Sequence, residues 1–108
     1  MILAYTTESG EIKRMRLRPF SANESLTIGR DKKATITIDD RNCSRIHSSI
    51  RYANNKFLIC DMGSKNGTHK NGERIKESML EQGDTFQIGN TVFKIEVEER
   101  PEESGVWQ

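Results

Sequence analysis

The eight residues 61–68 (Asp-Met-Gly-Ser-Lys-Asn-Gly-Thr) constrain the backbone more tightly than any other stretch of this chain. They follow a short apolar run at residues 57–60, and their two glycines, Gly63 and Gly67, can supply the positive φ angles that tight turns need. The serine, lysine and asparagine between these glycines are groups suited to grip an oxyanion. The stretch therefore predicts a loop of fixed shape between two strands.

Two further polar clusters lie beside stretches with a strand pattern. Gly29-Arg30 closes the apolar run 26–28, and residues 43–47 (Cys-Ser-Arg-Ile-His) precede the alternating stretch 48–52. Loops at strand ends commonly carry functional side chains. Three strand-end loops thus carry polar motifs, in the order Gly-Arg, Ser-Arg-x-His and Gly-Ser-x-Asn-Gly-Thr.

Short apolar stretches separated by turn signals predict many strands, and no segment has sustained helical periodicity. Residues 12–17 alternate, with Met15 and Leu17 on the side predicted to face the core. Asn71-Gly72 is the strongest hairpin signal. Residues 78–82 are ambiguous, and the predicted strands are 2–6, 12–17, 25–29, 35–38, 49–53, 57–61, 68–70, 73–75, 85–88 and 91–97. This pattern is typical of an all-β sandwich or barrel.

The order of the motifs also resembles a known family. After the three loops come Asn71-Gly72, Leu80 and the pattern Gly-Asp-x-Phe-x-Ile-Gly at residues 83–89. Over residues 3–97 the chain resembles the forkhead-associated domain, a phosphothreonine-peptide binding β-sandwich. The resemblance implies a SMAD/FHA-like sandwich of two antiparallel or mixed sheets, with loops at one end forming the binding site.

The resemblance also implies which residues bind a phosphothreonine peptide. Arg30 is expected to contact the phosphate directly, because a guanidinium can offer two parallel donors. Ser44 is the second direct ligand, through its hydroxyl and its backbone amide. Arg45 and Lys65 are expected to contact peptide or phosphate, and Asn66 to bond the backbone of the bound peptide.

Other residues are implied to shape the site. Asn42, with the loop around Lys65, is expected to read the third residue after the phosphothreonine, with a polar or acidic preference. His47 is expected to tie the Ser44 loop to its neighbour through hydrogen bonds of its ring. Structural roles are also expected for Gly29, Gly63, Gly67 and Thr68.

Length and charge limit the other functions. The 108 residues suit one domain, predicted over residues 1–97, followed by an acidic flexible tail or linker at 98–108 in which Trp107 has no assigned role. The net charge of +1 indicates no polyanion partner. Arg14, Arg16 and Arg18 form a basic stripe, which we interpret as a solvated face because no aromatic residues are interleaved to stack on bases.

The cysteines and the first residues suggest the compartment. Cys43 and Cys60 lack metal-site spacing, and free thiols in or under strands are favoured over a bridge between them. The amino terminus shows neither a basic leader nor a long apolar run, so a cytoplasmic location is expected. We further expect no cofactor, no metal, no membrane or nucleic-acid contact, and a monomer.

Three functional classes stay open. The leading one is a non-catalytic phosphothreonine-peptide binding module in serine/threonine-kinase signalling, either an adaptor or the amino-terminal module of a larger protein. The alternative is a phospho-independent protein-interaction module of the same fold, against which the presence of Arg30, Ser44 and Asn66 argues. An enzyme is least favoured, since Ser44 and His47 lack a nucleophile elbow and an orienting acid.

Overall fold

The computed structural model describes residues 1–21 and 23–97. Alternating apolar residues and abundant turn residues produce strands in these ranges, and the described residues form no helix. The strands are β1 (Ile2–Thr6), β2 (Ile12–Arg16), β3 (Leu26–Gly29), β4 (Ile36–Thr37), β5 (Ser48–Ala53), β6 (Lys56–Asp61), β7 (Thr68–Lys70), β8 (Glu73–Ile75), β9 (Glu77–Leu80), β10 (Thr85–Ile88) and β11 (Thr91–Glu96). The predicted tail at 98–108, including Trp107, lies outside the described residues.

The strands form two sheets, which confirms the expected sandwich. One sheet has six strands in the order β2-β1-β11-β10-β7-β8, and the other has five in the order β4-β3-β5-β6-β9. The β3–β4 pair is parallel, whereas the other pairs with a described register are antiparallel. The five-stranded sheet is therefore mixed, and the six-stranded sheet is antiparallel.

The core lies between the inner faces of the two sheets. Phe86 and Phe93 of the six-stranded sheet stack with ring centroids 4.9 Å apart and an interplanar angle of 4°. Across from them, Ile28, Ile50 and Ile59 of the five-stranded sheet are completely buried. Burying one such side chain stabilises the fold by about 1.5–3 kcal/mol, so this layer is the main source of cohesion.

The predicted orientation of β2 is confirmed. Leu17, just after the strand, is 4% exposed and belongs to the core cluster, and Met15 packs against that cluster. Ile12 is 56% exposed on the opposite side. On that outer face Arg14 donates to Glu96, with 3.0 Å between Nε and Oε1, so the basic stripe faces solvent and already contains an ion pair.

The hairpins follow from their turn residues. Asn71 and Gly72 have φ values of +49° and +89° and join paired residues of β7 and β8, as predicted. Asn54 and Asn55 also have positive φ, at +54° and +65°. This turn has two residues and not the predicted three, because Lys56 already pairs with Ala53 in the sheet.

The ambiguous residues 78–82 include most of an edge strand. β9 pairs with β6 through Leu80 and Phe57 at one end and Glu77 and Cys60 at the other. Leu80 is 2% exposed, so this residue anchors the strand to the core. The short sequence Glu-Ser-Met-Leu shows little alternation, and the pairing with β6 comes from tertiary contact.

The loops that follow β1, β3, β4, β6 and β10 meet at one end of the sandwich, here called the loop end. The opposite end holds the start of β1 and the end of β11, which pair through Ile2 and Glu96. Backbone hydrogen bonds connect the β3–β4 loop to the β4–β5 loop, and side-chain bonds connect the latter to the loops after β6 and β10. The sandwich therefore brings together all three motif-bearing loops.

Candidate functional site

The β3–β4 and β4–β5 loops are joined by their backbones. The amide of Arg30 donates to the carbonyl oxygen of Ser44 at 3.1 Å, and the amide of Asp31 donates to that of Arg45 at 3.0 Å. A Cβ on Gly29 would lie 2.0 Å from the carbonyl oxygen of Arg45. Only glycine permits this close approach, which brings the backbones of Arg30 and Ser44 together.

The Arg30 side chain is held at one nitrogen and open at the others. Its Nε donates to the carbonyl oxygen of Cys43 at 3.1 Å, while the side chain is exposed. Within residues 1–21 and 23–97, no group hydrogen-bonds its Nη nitrogens. The guanidinium can therefore donate two parallel hydrogen bonds to an anion while the loop keeps it oriented.

The hydroxyl of Ser44 is open to a ligand, but its backbone amide is not. The Oγ of Ser44 accepts a hydrogen bond from the amide of Lys65 at 3.1 Å, which fixes the oxygen and leaves its proton available. The backbone amide of Ser44 donates to Nδ1 of His47 at 3.0 Å. The expectation that this amide faces a ligand is therefore wrong, because the His47 ring already occupies it.

His47 bridges two loops from a fully buried position. Because Nδ1 accepts from Ser44, the ring proton lies on Nε2, which donates to the carbonyl oxygen of Gly67 at 2.9 Å. These two hydrogen bonds are the ones expected if His47 ties the Ser44 loop to its neighbour. Their effect on stability stays a prediction. They also leave neither ring nitrogen free to take a proton from the Ser44 hydroxyl, so a serine–histidine hydrolase pair is not assembled.

Asp61 organises the β6–β7 loop, a role that the sequence reasoning missed. Its carboxylate accepts from the amides of Gly63 and Ser64 and from the hydroxyls of Ser64 and Thr68. Thr68 is fully buried and accepts in turn from Ser48, at 2.7 Å between the two hydroxyl oxygens. An aspartate followed two residues later by glycine is a signal for such a turn. This signal in the sequence could have identified the role of Asp61.

The pKa of Asp61 depends on these hydrogen bonds. Burial alone would raise the pKa, but the hydrogen bonds from Ser64 and Thr68 outweigh burial and lower it below the ordinary 3.8. The carboxylate is therefore charged at neutral pH, and it holds the loop that carries Lys65 and Asn66.

Asn66 and Asn42, predicted to contact the peptide, contact each other. The Nδ2 of Asn66 donates to the carbonyl oxygen of Asn42 at 2.9 Å. Both residues are exposed, and the amide oxygen of Asn66 has no hydrogen-bond partner among the described residues. The pair connects the β4–β5 loop to the β6–β7 loop and leaves polar atoms facing outward.

Arg45 and Lys65 add charge around Ser44. Both side chains are exposed, and the Nε of Arg45 lies 3.9 Å from the Oδ2 of Asp31, a loose ion pair. Together with Arg30 they place three cationic side chains on the loops that meet at Ser44. A site of this composition attracts a compact, multiply charged anion.

Asp40 is a second carboxylate that the sequence reasoning missed. It is 5% exposed and accepts from the amide of Asn42 at 2.9 Å, the amide of Asn90 at 2.7 Å and the hydroxyl of Thr91 at 2.8 Å. Burial would raise its pKa, and these hydrogen bonds outweigh burial and lower it. Asp40 thereby fastens the β4–β5 loop to the β10–β11 turn.

The cysteines are free thiols, as favoured from the sequence. Cys43 lies in the β4–β5 loop and is 2% exposed, and burial together with the charge of Asp40 raises its pKa to about 11, partly offset by Arg30. Residues 1–21 and 23–97 contain no cluster of His, Cys, Asp or Glu able to hold a metal ion. Within the same ranges there is no helix long and apolar enough to cross a membrane.

The protein-family comparison gives a match to the model described as FHA domain, over residues 26–89. This match includes every loop described above except the β1–β2 turn and the end of the β10–β11 turn. Among curated proteins, the glycogen accumulation regulator GarA of Mycobacterium tuberculosis is 39% identical over 71 residues, which cover 65% of this chain and 44% of GarA. The chain thus spans less than half the length of this relative.

Solved structures extend the likeness beyond that segment. The FHA domain of the CT664 protein from Chlamydia trachomatis superposes with a TM-score of 0.78 at 28% identity, covering 91% of this chain and 97% of that one. An FHA domain studied for phosphothreonine-dependent FHA domain interactions gives 0.72 at 25% identity, covering 93% of this chain and 100% of its own. Both likenesses include strands on either side of the family match.

Proposed function

The chain belongs to the FHA domain family, and from this premise we propose that it is a non-catalytic module that binds threonine-phosphorylated proteins in serine/threonine-kinase signalling. Residues 1–97 would be the binding domain and residues 98–108 an acidic linker. Arg30 and Ser44 would be the direct phosphate ligands. The phosphothreonine-dependent interactions studied for one structural relative support the choice of ligand.

One observation carries the proposal: the oriented but open pair of Arg30 and Ser44. The Arg30 guanidinium is anchored through Nε with its Nη nitrogens open, and the Ser44 hydroxyl is fixed through Lys65 with its proton open. A phosphothreonine carries about −1.5 to −2 charge near neutral pH and three strong acceptor oxygens. Donors already held in place lose little entropy on binding. The higher charge and the third acceptor oxygen favour a phosphate over a carboxylate at this site.

The other predicted residues would act around this pair. Arg45 and Lys65 would add attraction for the phosphate or the peptide, and Asn66 would bond the peptide backbone through its open oxygen. Asn42 would contribute to sequence preference from the adjacent loop. Gly29, His47, Gly63, Gly67 and Thr68 would hold the loops in the binding geometry.

The partner and setting follow from the same chemistry. We propose a monomer that binds a phosphorylated protein and neither nucleic acid nor membrane, in the cytoplasm, where the two thiols would remain reduced. GarA is named a regulator and not an enzyme, in keeping with an adaptor role. Since the chain covers 44% of GarA, an effector function of a longer protein is compatible with this module.

The alternative is a phospho-independent interaction module of the same fold. Fluorescence anisotropy with degenerate phosphothreonine, phosphoserine and unphosphorylated peptide pools separates the two. We expect binding to the phosphothreonine pool alone. Equal binding to the unphosphorylated pool, or no binding by the folded protein, would favour the alternative.

Single substitutions then test the ligand assignment. Arg30→Ala or Ser44→Ala should weaken phosphopeptide binding roughly tenfold to a hundredfold, because each removes a charge-assisted hydrogen bond of about 1.5–3 kcal/mol. Melting temperature should change little, since each side chain makes a single hydrogen bond within the protein and neither is fully buried. Arg18→Ala, an exposed arginine outside these loops, is the matched control and should bind like the parent. Parental affinity in the folded Arg30 and Ser44 variants would refute the assignment.

A further inference from the structure

Three neighbouring depressions at the loop end share lining residues. The first, of about 450 Å³, lies beside the Asn42–Asn66 contact. The second, of about 670 Å³, shares Asn42 and Asn90 with the first. The third, of about 320 Å³, shares Thr7 and Thr91 with the second and ends at the β1–β2 turn. We call this row of depressions the loop-end groove; its lining includes the proposed peptide contacts Asn42 and Asn66 and neither of the proposed phosphate ligands.

The floor of the groove is held in place by the protein itself. Asp40 lies beneath it and bonds Asn42, Asn90 and Thr91 across the β4–β5 and β10–β11 connections. A Cβ on Gly89 would lie 2.7 Å from Oδ1 of Asp40, and Gly89 has a φ of +61°. The chain therefore uses a glycine to bring the two loops this close, and the groove exists without a bound peptide.

The walls have the chemistry that an extended polar peptide needs. Asn42, Asn66 and Asn90 supply amide groups that can donate and accept, and Thr7 and Thr91 supply hydroxyls; the Thr91 hydroxyl already donates to Asp40 and can accept from a ligand. A peptide in extended conformation exposes its own amides and carbonyls along both edges. Side chains that can pair with either group suit such a segment whatever its sequence.

Arg41 is the cation of the second depression; Glu8 lines the second and third depressions, and Lys13 and Asp39 line the third. The Arg41 side chain is exposed and lines the second depression. No carboxylate lies within 4 Å of its guanidinium in the ranges that the structure describes. The Asp40 carboxylate nearby is already surrounded by three donors. An arginine left open on a groove wall is suited to pair with an acidic side chain of a ligand.

We propose that the phosphorylated partner is bound through an extended segment and not only through the phosphothreonine and its neighbours. On one side of the phosphothreonine, the partner chain passes the Asn42–Asn66 pair, follows the loop-end groove past Arg41 and places a carboxylate against that guanidinium. The inference rests on the proposed function, because the phosphothreonine held by Arg30 and Ser44 fixes where the segment starts.

Peptide length is the first test. Phosphothreonine peptides are made in three forms: a short core, the core extended toward the amino end, and the core extended toward the carboxyl end. Within each extension, Glu or Gln is placed at one position at a time. Extension in one direction should tighten binding about fivefold to tenfold, as a few new hydrogen bonds would. Glu in place of Gln at one position should add about twofold to fivefold, the range of an exposed ion pair.

Two matched variants test the residue. Arg41→Gln should remove the difference between Glu and Gln peptides and leave the affinity for the short core unchanged, as a double-mutant cycle requires. Arg18→Gln, which removes an exposed arginine outside the groove, should leave both affinities unchanged. Backbone amide resonances of Thr7 and Thr91 should shift with the long peptide and not with the short one.

The possible failures are distinguishable. Phosphate-dependent binding that is independent of length and of Arg41 would overturn the extended-segment inference and keep the proposed function. Absence of binding to every phosphothreonine peptide by the folded protein would overturn the proposed function, and the inference with it.

Discussion

At the scale of single residues, the site depends on the absence of a side chain as much as on the side chains present. Gly29 and Gly89 are glycines because a Cβ would collide with the Arg45 carbonyl or the Asp40 carboxylate. The first collision is with backbone, which cannot rotate away, so the β3–β4 and β4–β5 loops would have to separate. Arg30 and Ser44 lie close together because Gly29 has no Cβ atom.

Gly29→Ala should therefore lower both stability and affinity. We expect a loss of at least roughly 1–3 kcal/mol in the free energy of unfolding, the range for overpacking, and weaker binding as Arg30 and Ser44 move apart. Urea denaturation and peptide titration measure the two effects. Gly10→Ala is a useful comparison, because φ there is +88° but a Cβ would meet nothing within 4 Å. It should cost about 1–2 kcal/mol and leave affinity unchanged; equal behaviour of the two variants would contradict the steric argument.

The His47→Ala variant, also at the residue scale, tests whether His47 holds the loops together or contacts the bound peptide. Removing the ring leaves the Ser44 amide and the Gly67 carbonyl without partners, at roughly 1–3 kcal/mol for each buried group. The melting temperature should fall on the order of 10–20 °C for a domain of this size. His69→Ala, at a half-buried position on β7, is the control and should melt close to the parent. An unchanged melting temperature for His47→Ala would remove the scaffold role.

At the scale of elements, carboxylates fasten loops to strands. Asp40 holds the β4–β5 loop to the β10–β11 turn, and Asp61 holds the β6–β7 loop to the start of β7. Asp84 does the same near β10, accepting from the amide of Glu81 and from Asn71, with Nζ of Lys70 at 3.3 Å from its Oδ2. The strands supply the cohesion, and these acids set the shape of the connections.

This arrangement predicts how stability depends on pH. Burial would raise the pKa of Asp40, Asp61 and Asp84, but their hydrogen bonds outweigh burial, so each folded pKa lies below the ordinary 3.8. A depressed folded pKa gives stabilisation that is fully present above the unfolded pKa near 4 and is lost as pH falls through the folded pKa. Urea midpoints should therefore drop below about pH 4. Asp61→Asn should be less stable at pH 7 and show a flatter acid dependence, whereas Asp39→Asn, at an exposed position, should keep the parental stability at pH 7. An unaltered slope in Asp61→Asn would contradict the assignment.

Local chemistry explains which elements were predictable. The Asn71-Gly72 hairpin and the inward face of β2 follow from turn preferences and alternation within a few residues. The sequence of β9 is ambiguous because its pairing with β6 is set by tertiary contact. The Asp40 cluster was missed for the same reason, since Asn90 lies 50 positions away in sequence. The motif residues Arg30, Ser44 and Asn66 were recognisable as a set, but the use of the Ser44 amide by His47 depends on a geometry that spacing alone does not specify.

At the scale of the whole molecule, the core and the site share residues. Cys43 belongs to the core cluster, and its carbonyl oxygen orients the Arg30 guanidinium. The loop that carries Ser44 is thereby anchored in the same apolar layer that holds the two sheets together. A motion large enough to expose Cys43 must disturb that layer.

Thiol labelling can test this coupling. Burial and the Asp40 charge raise the pKa of Cys43 to about 11, so little thiolate forms at neutral pH even apart from its 2% exposure. In a Cys60→Ser variant, Cys43 should react with a thiol reagent only as fast as the protein unfolds, and the rate should rise with urea. The Cys43→Ser variant should react faster, through the half-buried Cys60. Rapid, urea-independent labelling of Cys43 would show that its loop opens locally.

The pairing of Ile2 with Glu96 joins the first and last strands side by side, at the end of the sandwich away from the binding loops. A circular permutant could therefore connect residue 97 to residue 1 with a short flexible linker and begin at the Asn54-Asn55 turn. No strand pair other than that hairpin would lose its covalent connection, so the permuted protein should keep its sheets and its peptide affinity. The same geometry makes the domain suitable as a genetically encoded probe, with a reporter fused at either end and the ligand-binding face left clear.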